Sequence, residues 1–404
     1  MAMLTTSFSS SFFLLLLSET SLSSSSATNP DAQQLINFKL ALPDPSVLKN
    51  WQQNQNHVVS MISGPNFVPW IVYNGCKDLK LLALKGNKFT GEINVTKCKN
   101  LKFLDVFASN ISMPVPAFGD CLALEHLDIS ANKFSFDIVH AISPCEKLTF
   151  LNISSNQFGG QIPVLSSAAN LQYFLLGNNL FQGEIPLQLA DYCPSLVKID
   201  LSSNNLSGTV PSSFSSCSSL ASLDISYNKF SGELPVDTFL QTSSLKELVL
   251  SFNYFTGVLP HSLSELTNLE TLDLSSNNFR GLIPANLRRH PGNSLKEFIP
   301  SSLGALSELQ DLNLWLNNLR GEIPQELGNI QTLQTLILDF NQLSGPVPSS
   351  LSNCTNLTWI SLSNDQLSGE IPGGLASFPT SRFSSSITTP FMVASRRSLV
   401  IVGT

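Results

Sequence analysis

LQDLNLWLNNLRGEIP, Leu309 to Pro324, is the stretch whose reading decides the architecture. Its first half alternates as a short strand does, sending Leu312 and Leu314 to one side and Asp311 and Asn313 to the other. Its second half carries Asn317, Leu319, Gly321 and the pair Ile323-Pro324. The same LxxLxLxxNxLxGxIP pattern returns with first leucines at Leu79, Leu101, Leu124, Leu148, Leu171, Leu196, Leu220, Leu245, Leu269, Leu309, Leu333 and Leu357, twelve copies in all. A unit this short cannot bury its own apolar face, whereas a column of them stacked at about 4.8 Å shares one interior. The strands are therefore predicted to form one parallel sheet.

The ninth position of the pattern is Asn in ten copies: Asn87, Asn132, Asn156, Asn179, Asn204, Asn228, Asn253, Asn277, Asn317 and Asn341. Buried among leucines, its amide can pair with backbone groups of its own turn and of the neighbouring copy that would otherwise lack partners. Ser109 and Asp365 take that place in two copies, and the second is expected to mark where the stack frays. Two residues on, a Phe or Leu (Phe134, Phe158, Phe181, Phe230, Phe255 and Phe279 among them) fills the interior. The Gly that follows, for example Gly208 or Gly345, permits a tight turn.

Bulk composition narrows the function. Charged residues make up 13% of the 404, and the formal net charge is -7, with no cluster of Lys or Arg along the repeats. Nucleic-acid binding therefore has no electrostatic basis. Residues 1–27 read as a secretory signal peptide, with an apolar run from Phe12 to Leu17 and a Ser-rich stretch ending at Ala27, although no Lys or Arg precedes Lys39. No stretch reaches the 18 or so apolar residues of a membrane span. Six Asn-x-Ser/Thr sequons, at Asn94, Asn110, Asn152, Asn205, Asn353 and Asn356, are the expected glycosylation sites.

Seven cysteines, Cys76, Cys98, Cys121, Cys145, Cys193, Cys217 and Cys354, all stand three residues before a first leucine. Sharing one register and odd in number, they are expected to be buried thiols rather than bridges. None shows CxxC spacing, which removes the usual zinc and redox readings. The acidic fifth positions (Asp105, Asp128, Asp200, Asp224 and Asp273, with Asn152 and Asn313) read as a solvated face, because no His or metal ligand recurs beside them. No catalytic, cofactor or metal site is expected.

Candidate contact residues come from the sheet side. Third positions give Leu81, Phe103, His126, Phe150 and Tyr173; seventh and eighth positions give Tyr227, Phe252, Trp315, Leu316 and Phe340. Exposed aromatic rows favour recognition of a partner. The other reading, that the rings stack on one another to shield the sheet, stays open.

The LxGxIP half resembles plant-type leucine-rich repeats. That resemblance implies an α/β repeat solenoid, a superhelix with a parallel concave sheet and a 3-10 or irregular convex side. The phrases LEHLDISANKFS, FLNISSNQF, DLNLWLNNLRGEIPQEL, LQTLILDFNQLSG and LSNCTNLTWISLSN are similar to ectodomains of the brassinosteroid receptor kinase family, from Gly75 to about Gly373. Asp31 to Trp51 looks like the amphipathic helix that caps such ectodomains, without the paired cysteines that normally follow it. The chain is thus divided into signal peptide 1–27, capping region 28–56, partial repeat 57–78, repeats 79–294, a shortened repeat 295–308, repeats 309–377 and a disordered tail 378–404. Near Leu295 to Ile299 a strand is missing, so the backbone ladder is expected to be lost there and the solenoid to kink or loop out.

The resemblance implies protein–protein recognition in cell-surface hormone signalling, with co-receptor or receptor ectodomains as partners through the concave face. The chain is expected in the apoplast or on the outer face of the plasma membrane, touching membrane only by association or in a full-length form. A steroid site in that family needs an island domain, and no spacing between Leu79 and Pro372 accommodates one. No Gly-rich phosphate loop, HRD or DFG is present either, so neither steroid binding nor kinase activity is expected. Two further readings remain: a free-standing apoplastic inhibitor or defence-related recognition protein, and a non-functional truncated gene product.

Overall fold

The computed structural model describes residues 71–72, 80–86, 93–96, 98–111, 118, 121–136, 138–165, 169–280 and 299–377. The expected signal peptide, capping helix and tail lie outside them, as do most of 57–78 and residues 295–298.

Twelve three-residue strands form the principal sheet: β1 (Leu81–Ala83), β2 (Phe103–Asp105), β3 (His126–Asp128), β4 (Phe150–Asn152), β5 (Tyr173–Leu175), β6 (Lys198–Asp200), β7 (Ser222–Asp224), β8 (Glu247–Val249), β9 (Thr271–Asp273), β10 (Asp311–Asn313), β11 (Thr335–Ile337) and β12 (Trp359–Ser361). They lie side by side in chain order, each parallel to the next. The middle residue of every strand points into the core, so Phe174, Ile199 and Leu223 share one level and are fully buried. Its two neighbours point out on the other side, as the period of two requires.

After each strand the chain turns sharply, and the eighth position has a positive φ in all twelve copies, from Gly86 through Asn178 to Asn364. Bulky side chains rarely adopt that conformation, yet Tyr227, Phe252, Leu316 and Phe340 do so here. The ninth-position amides hold the turn in place. Asn228 donates from Nδ2 to the carbonyls of Leu201 (2.9 Å), Ile225 (3.2 Å) and Ser226 (3.1 Å) and accepts at Oδ1 from the Leu206 N–H (2.9 Å). Ser109 supplies a shorter substitute, its hydroxyl donating to the Leu84 carbonyl at 2.9 Å. Asn87 lies outside the described residues.

The next segment builds a second parallel sheet beside the first, six-stranded from Ser135–Phe136 to Tyr254–Thr256 and three-stranded from Arg320–Gly321 to Gln366–Ser368. A bridge between Arg280 and Asn318 joins the two stretches. The convex side consists of 3-10 turns such as Leu187–Asp191, Ser212–Ser216 and Gln325–Asn329, each entered through an extended Pro, and of two single-turn helices, Val139–Ile142 and Val236–Phe239. Between the sheets and these turns runs the Phe column, with Phe134, Phe158, Phe181, Phe230, Phe255 and Phe279 almost wholly removed from water.

Three expectations are corrected. The cysteines do bridge: Cys121 with Cys145 and Cys193 with Cys217, at Cα separations of 4.8 and 4.0 Å. Cys98 is disulfide-bonded too, and Cys354 alone is a buried free thiol among the described residues. One shared register does not keep thiols apart; it sets them one strand spacing from each other in adjacent copies, well inside the roughly 7 Å that a disulfide can span.

The ladder also survives the irregular stretch before Ile299. β9 pairs with β10 in full register, Leu272 opposite Leu312, and Asn317 donates to the Leu274 carbonyl at 3.0 Å. The turn Ser301–Ala305 stacks between His261–Glu265 and Gln325–Asn329, with Ile299 and Leu303 fully buried. Pairing depends on matched strands and turns in successive copies, not on the length of chain between them. Nor does the stack fray at Asp365, which is buried, takes the Leu343 N–H at 2.9 Å and is followed by a buried Leu367.

Candidate functional site on the concave face

Strand register places the third-position side chains directly above one another. Phe103, His126, Phe150 and Tyr173 occupy adjacent strands β2 to β5 at one level. Their rings form a column: Phe103 to His126 at 4.1 Å and 9°, His126 to Phe150 at 4.2 Å and 10°, Phe150 to Tyr173 at 5.5 Å and tilted by 42°. The sequence left exposure and mutual stacking as alternatives, and both occur together. The first three rings are half-buried, and Tyr173, at the end of the column, is exposed.

His126 has a ring on each face. Burial strips the imidazolium of its hydration and pushes its pKa down to about 4, against a smaller upward pull from Asp128. It therefore serves as a neutral aromatic step with polar edges, not as a charge.

The second group gathers at the turn side of β7 to β11. Tyr227 stacks on Phe252 at 4.1 Å and 10°, Phe252 meets Trp315 at 5.8 Å, and Trp315 meets Phe340 edge-on at 6.3 Å. Tyr227, Leu316 and Phe340 are 52%, 41% and 47% exposed, which makes this the more open of the two surfaces. The copy beginning at Leu269 contributes only Ser275 and Ser276 here, and Trp315 bridges the gap. The two groups sit on different strands, with Lys198 and Asp200 of β6 between them.

The fifth-position acids are not the solvated row that the sequence predicts. They cap the turn: Asp128, Asp200 and Asp224 each accept from the backbone N–H two residues on, at 2.9 to 3.0 Å, and from that residue's hydroxyl. Asp273 accepts the Ser275 N–H, Asp105 the Phe107 N–H, and the amides of Asn152 and Asn313 do the same work. An Asp followed two residues later by Ser is an Asx-type turn lock, which explains its recurrence without any catalytic role. Burial raises the Asp224 pKa to about 6, helped by the like charges of Asp200 and Glu247. Cross-copy pairs Lys102–Glu125 (2.6 Å) and Lys246–Glu270 (2.7 Å) bridge neighbouring strands at their exposed ends. No group of His, Cys, Asp and Glu able to hold a metal ion occurs among the described residues.

Of the sequons, Asn110, Asn205, Asn353 and Asn356 are exposed. Asn152 lies within β4, its Nδ2 donating to Asp128 Oδ2 at 3.2 Å. The side chain of Asn94 lies outside the described residues. One residue escaped notice in the sequence: Phe136 stands where Gly160, Gly183, Gly208 and other copies place a glycine with positive φ. It keeps that conformation at 73°, is 71% exposed, and borders an open groove of about 620 Å³ with Gly159, Gly160 and Gln161. Its signal was available as a break in the Gly register.

Comparison with known proteins agrees with the repeat fold. A leucine-rich-repeat family profile matches residues 169–230 and 231–279, and a second matches 147–167, 308–330 and 332–354. The brassinosteroid LRR receptor kinase of Solanum lycopersicum is 51% identical over 159 residues, 39% of this chain and 13% of the relative. Protein BRASSINOSTEROID INSENSITIVE 1 of Arabidopsis thaliana is 50% identical over 155 residues, 38% and 13% respectively. The chain thus spans 13% of the length of these relatives. Among solved structures, PEPR1-AtPEP1 superposes with a TM-score of 0.65 at 32% identity, covering 75% of this chain and 41% of that one. The Arabidopsis receptor kinase HAESA, in complex with the peptide hormone IDA and the co-receptor SERK1, gives 0.66 at 30%, covering 78% and 50%.

Proposed function

Starting from a chain built of plant-type leucine-rich repeats, we propose that it is an extracellular recognition module of plant receptor signalling that binds polypeptide partners on its concave face and performs no chemistry itself. The observation that carries this reading is the open aromatic surface on which Tyr227 and Phe340 are exposed and Phe252 and Trp315 half-buried between them. Three of the residues there, Tyr227, Phe252 and Phe340, hold large rings in a left-handed backbone conformation. The turn imposes that conformation in every copy and is met elsewhere by Gly, Ala, Ser or Asn, so neither the turn nor the core requires rings at this place, and they leave an apolar surface open to a partner. Solved neighbours described as a peptide hormone receptor in complex, or as a receptor kinase with a peptide hormone and a co-receptor, support a polypeptide ligand over a steroid. Sequence likeness to receptors named for brassinosteroid covers 39% and 38% of this chain.

The test uses secreted, glycosylated protein immobilised and exposed to soluble co-receptor ectodomains and to secreted plant peptides. Saturable binding is expected, weakened at least tenfold by Phe252→Ala with Phe340→Ala and unchanged by Tyr254→Ala on the second sheet. Such truncations of central aromatic anchors typically cost about 2 kcal/mol or more of binding energy. Binding indifferent to both concave substitutions would refute the assignment, and calorimetric heat from brassinolide would replace the polypeptide by a steroid. Glycosidase treatment is expected to increase gel mobility, through glycans on the exposed sequons.

A further inference from the structure

The asparagine column ends on a residue that cannot replace asparagine while ionised. In the copy before, Asn341 donates from Nδ2 to the carbonyls of Leu314 (2.9 Å), Leu338 (2.8 Å) and Asp339 (3.3 Å), and its Oδ1 accepts the Leu319 N–H at 3.0 Å. Asp365 stands in the same place one copy later, and its Oδ1 accepts the Leu343 N–H at 2.9 Å. Its Oδ2 therefore occupies the amide-nitrogen place, where the repeat offers the carbonyls of Leu338, Leu362 and Ser363 by the same offsets. That Oδ2 is buried and has no hydrogen-bond partner.

An anionic oxygen set against carbonyl oxygens, out of reach of water, is costly. A carboxylic acid in the same place has one O–H to give, against the two N–H groups of the amide, and restores one of the ladder's donations. No cation relieves the anion from the neighbouring copy or from its own: across residues 333–377 the other titratable side chains are Asp339, Glu370 and the buried thiol of Cys354, which burial keeps neutral. Asp339 acts on Asp365 directly while itself accepting from the Ser361 hydroxyl and the Ser363 N–H; Glu370 is exposed.

We propose that Asp365 makes the docking of the last described repeat, Leu357 to Ser377, proton-dependent: the acid form restores a donation of the asparagine ladder, and ionisation loosens that repeat from the one before it. Burial first, and then Asp339, raise the Asp365 pKa from 3.8 to about 7, opposed by the backbone N–H groups of Leu343 and Asn341. Because the folded value lies above the unfolded one, the stabilising contribution is complete below about pH 4 and is lost as pH rises through about 7. A mildly acidic medium keeps the repeat seated; a neutral or alkaline one releases it.

The experiment is hydrogen exchange on the intact protein, corrected for intrinsic rates, comparing wild type with Asp365→Asn from pH 5 to 8. In the wild type the opening equilibrium of amides within 357–377 should rise about a hundredfold between pH 5 and 7.5, tenfold per pH unit across the window that ends at the folded pKa. In Asp365→Asn, which restores the residue of the other copies, the same amides should stay protected and flat. Amides of 126–175 should respond alike in both proteins. Asp339→Asn should keep the transition but move its upper end to lower pH. Equal pH dependence in wild type and Asp365→Asn, or wild-type protection unchanged up to pH 8, would overturn the proposal.

Discussion

Two aromatic columns run along this solenoid with the same period, and they differ in nearly every physical respect. Inside, Phe134, Phe158 and Phe181 stand 6.3 and 6.4 Å apart and are lost to water. On the concave face, Phe103, His126 and Phe150 stack at 4.1 and 4.2 Å, half-buried by one another. The shorter step on the sheet side is what a stack curving toward its sheet requires. Residue type and sequence period do not separate the two columns. Position relative to the ninth-residue amide does: two residues after it a ring is core, and six before it a ring faces outward.

That distinction can be broken or sharpened by substitution. The largest effect is expected at the amide that fixes the interior column. Asn228→Leu leaves the Leu206 N–H without its partner and takes one of two donors from the carbonyls of Leu201, Ile225 and Ser226, which keep Asn204, Asn253 and the Ser203 N–H; at about 1–3 kcal/mol for the buried unsatisfied N–H and about 1 kcal/mol for each further bond lost, the loss should be roughly 4 kcal/mol. A denaturation midpoint that does not move would show the ladder to be ornamental. Next comes the convex staple: replacing Cys193 and Cys217 together by Ala opens a link across 24 residues, worth about 3 kcal/mol on the chain-entropy account, read as a lower melting temperature without reductant.

A smaller change is expected on the concave side at Asp224. Its folded pKa of about 6 lies above the unfolded 3.8, so its stabilising contribution is full below about pH 4 and disappears as pH rises through 6. Asp224→Asn keeps the acceptor for Ser226 and should gain about 1–2 kcal/mol over wild type at pH 7, with no gain at pH 4. Thermal melts at the two pH values check this; an equal difference at both would contradict it.

How much of this could be read in the sequence follows from what repeats and what does not. The strands, the buried leucines, the amide ladder and the Phe column were legible because each is imposed once per copy and leaves its mark in most of the twelve. The disulfides were not legible, although Cys121 and Cys145 fall in one register, because a shared direction shows in the sequence and the strand spacing between adjacent copies does not. The Asp row was misjudged because a solvated row and a turn-capping row share one pattern; the Ser two residues after Asp128, Asp200, Asp224 and Asp273 was the discriminating sign. Continuity past Ile299 was hidden because Leu295 imitates a first leucine while the pairing runs from β9 to β10. Of the candidate site, both aromatic groups were named by position, but ring order and exposure depend on contacts across copies. Asp365 and Phe136 stood out only as departures from register, and what a departure does physically depends on its neighbours.

The central claim is that one column is core and the other is surface, and a single urea titration of two variants tests it. Phe255→Ala, in the interior, should lose about 3–5 kcal/mol, as truncation of a fully buried Phe does, whereas Phe150→Ala, on the concave face, should lose about 1 kcal/mol. Equal losses from the two, or a larger loss from Phe150→Ala, would contradict the division on which the recognition surface rests.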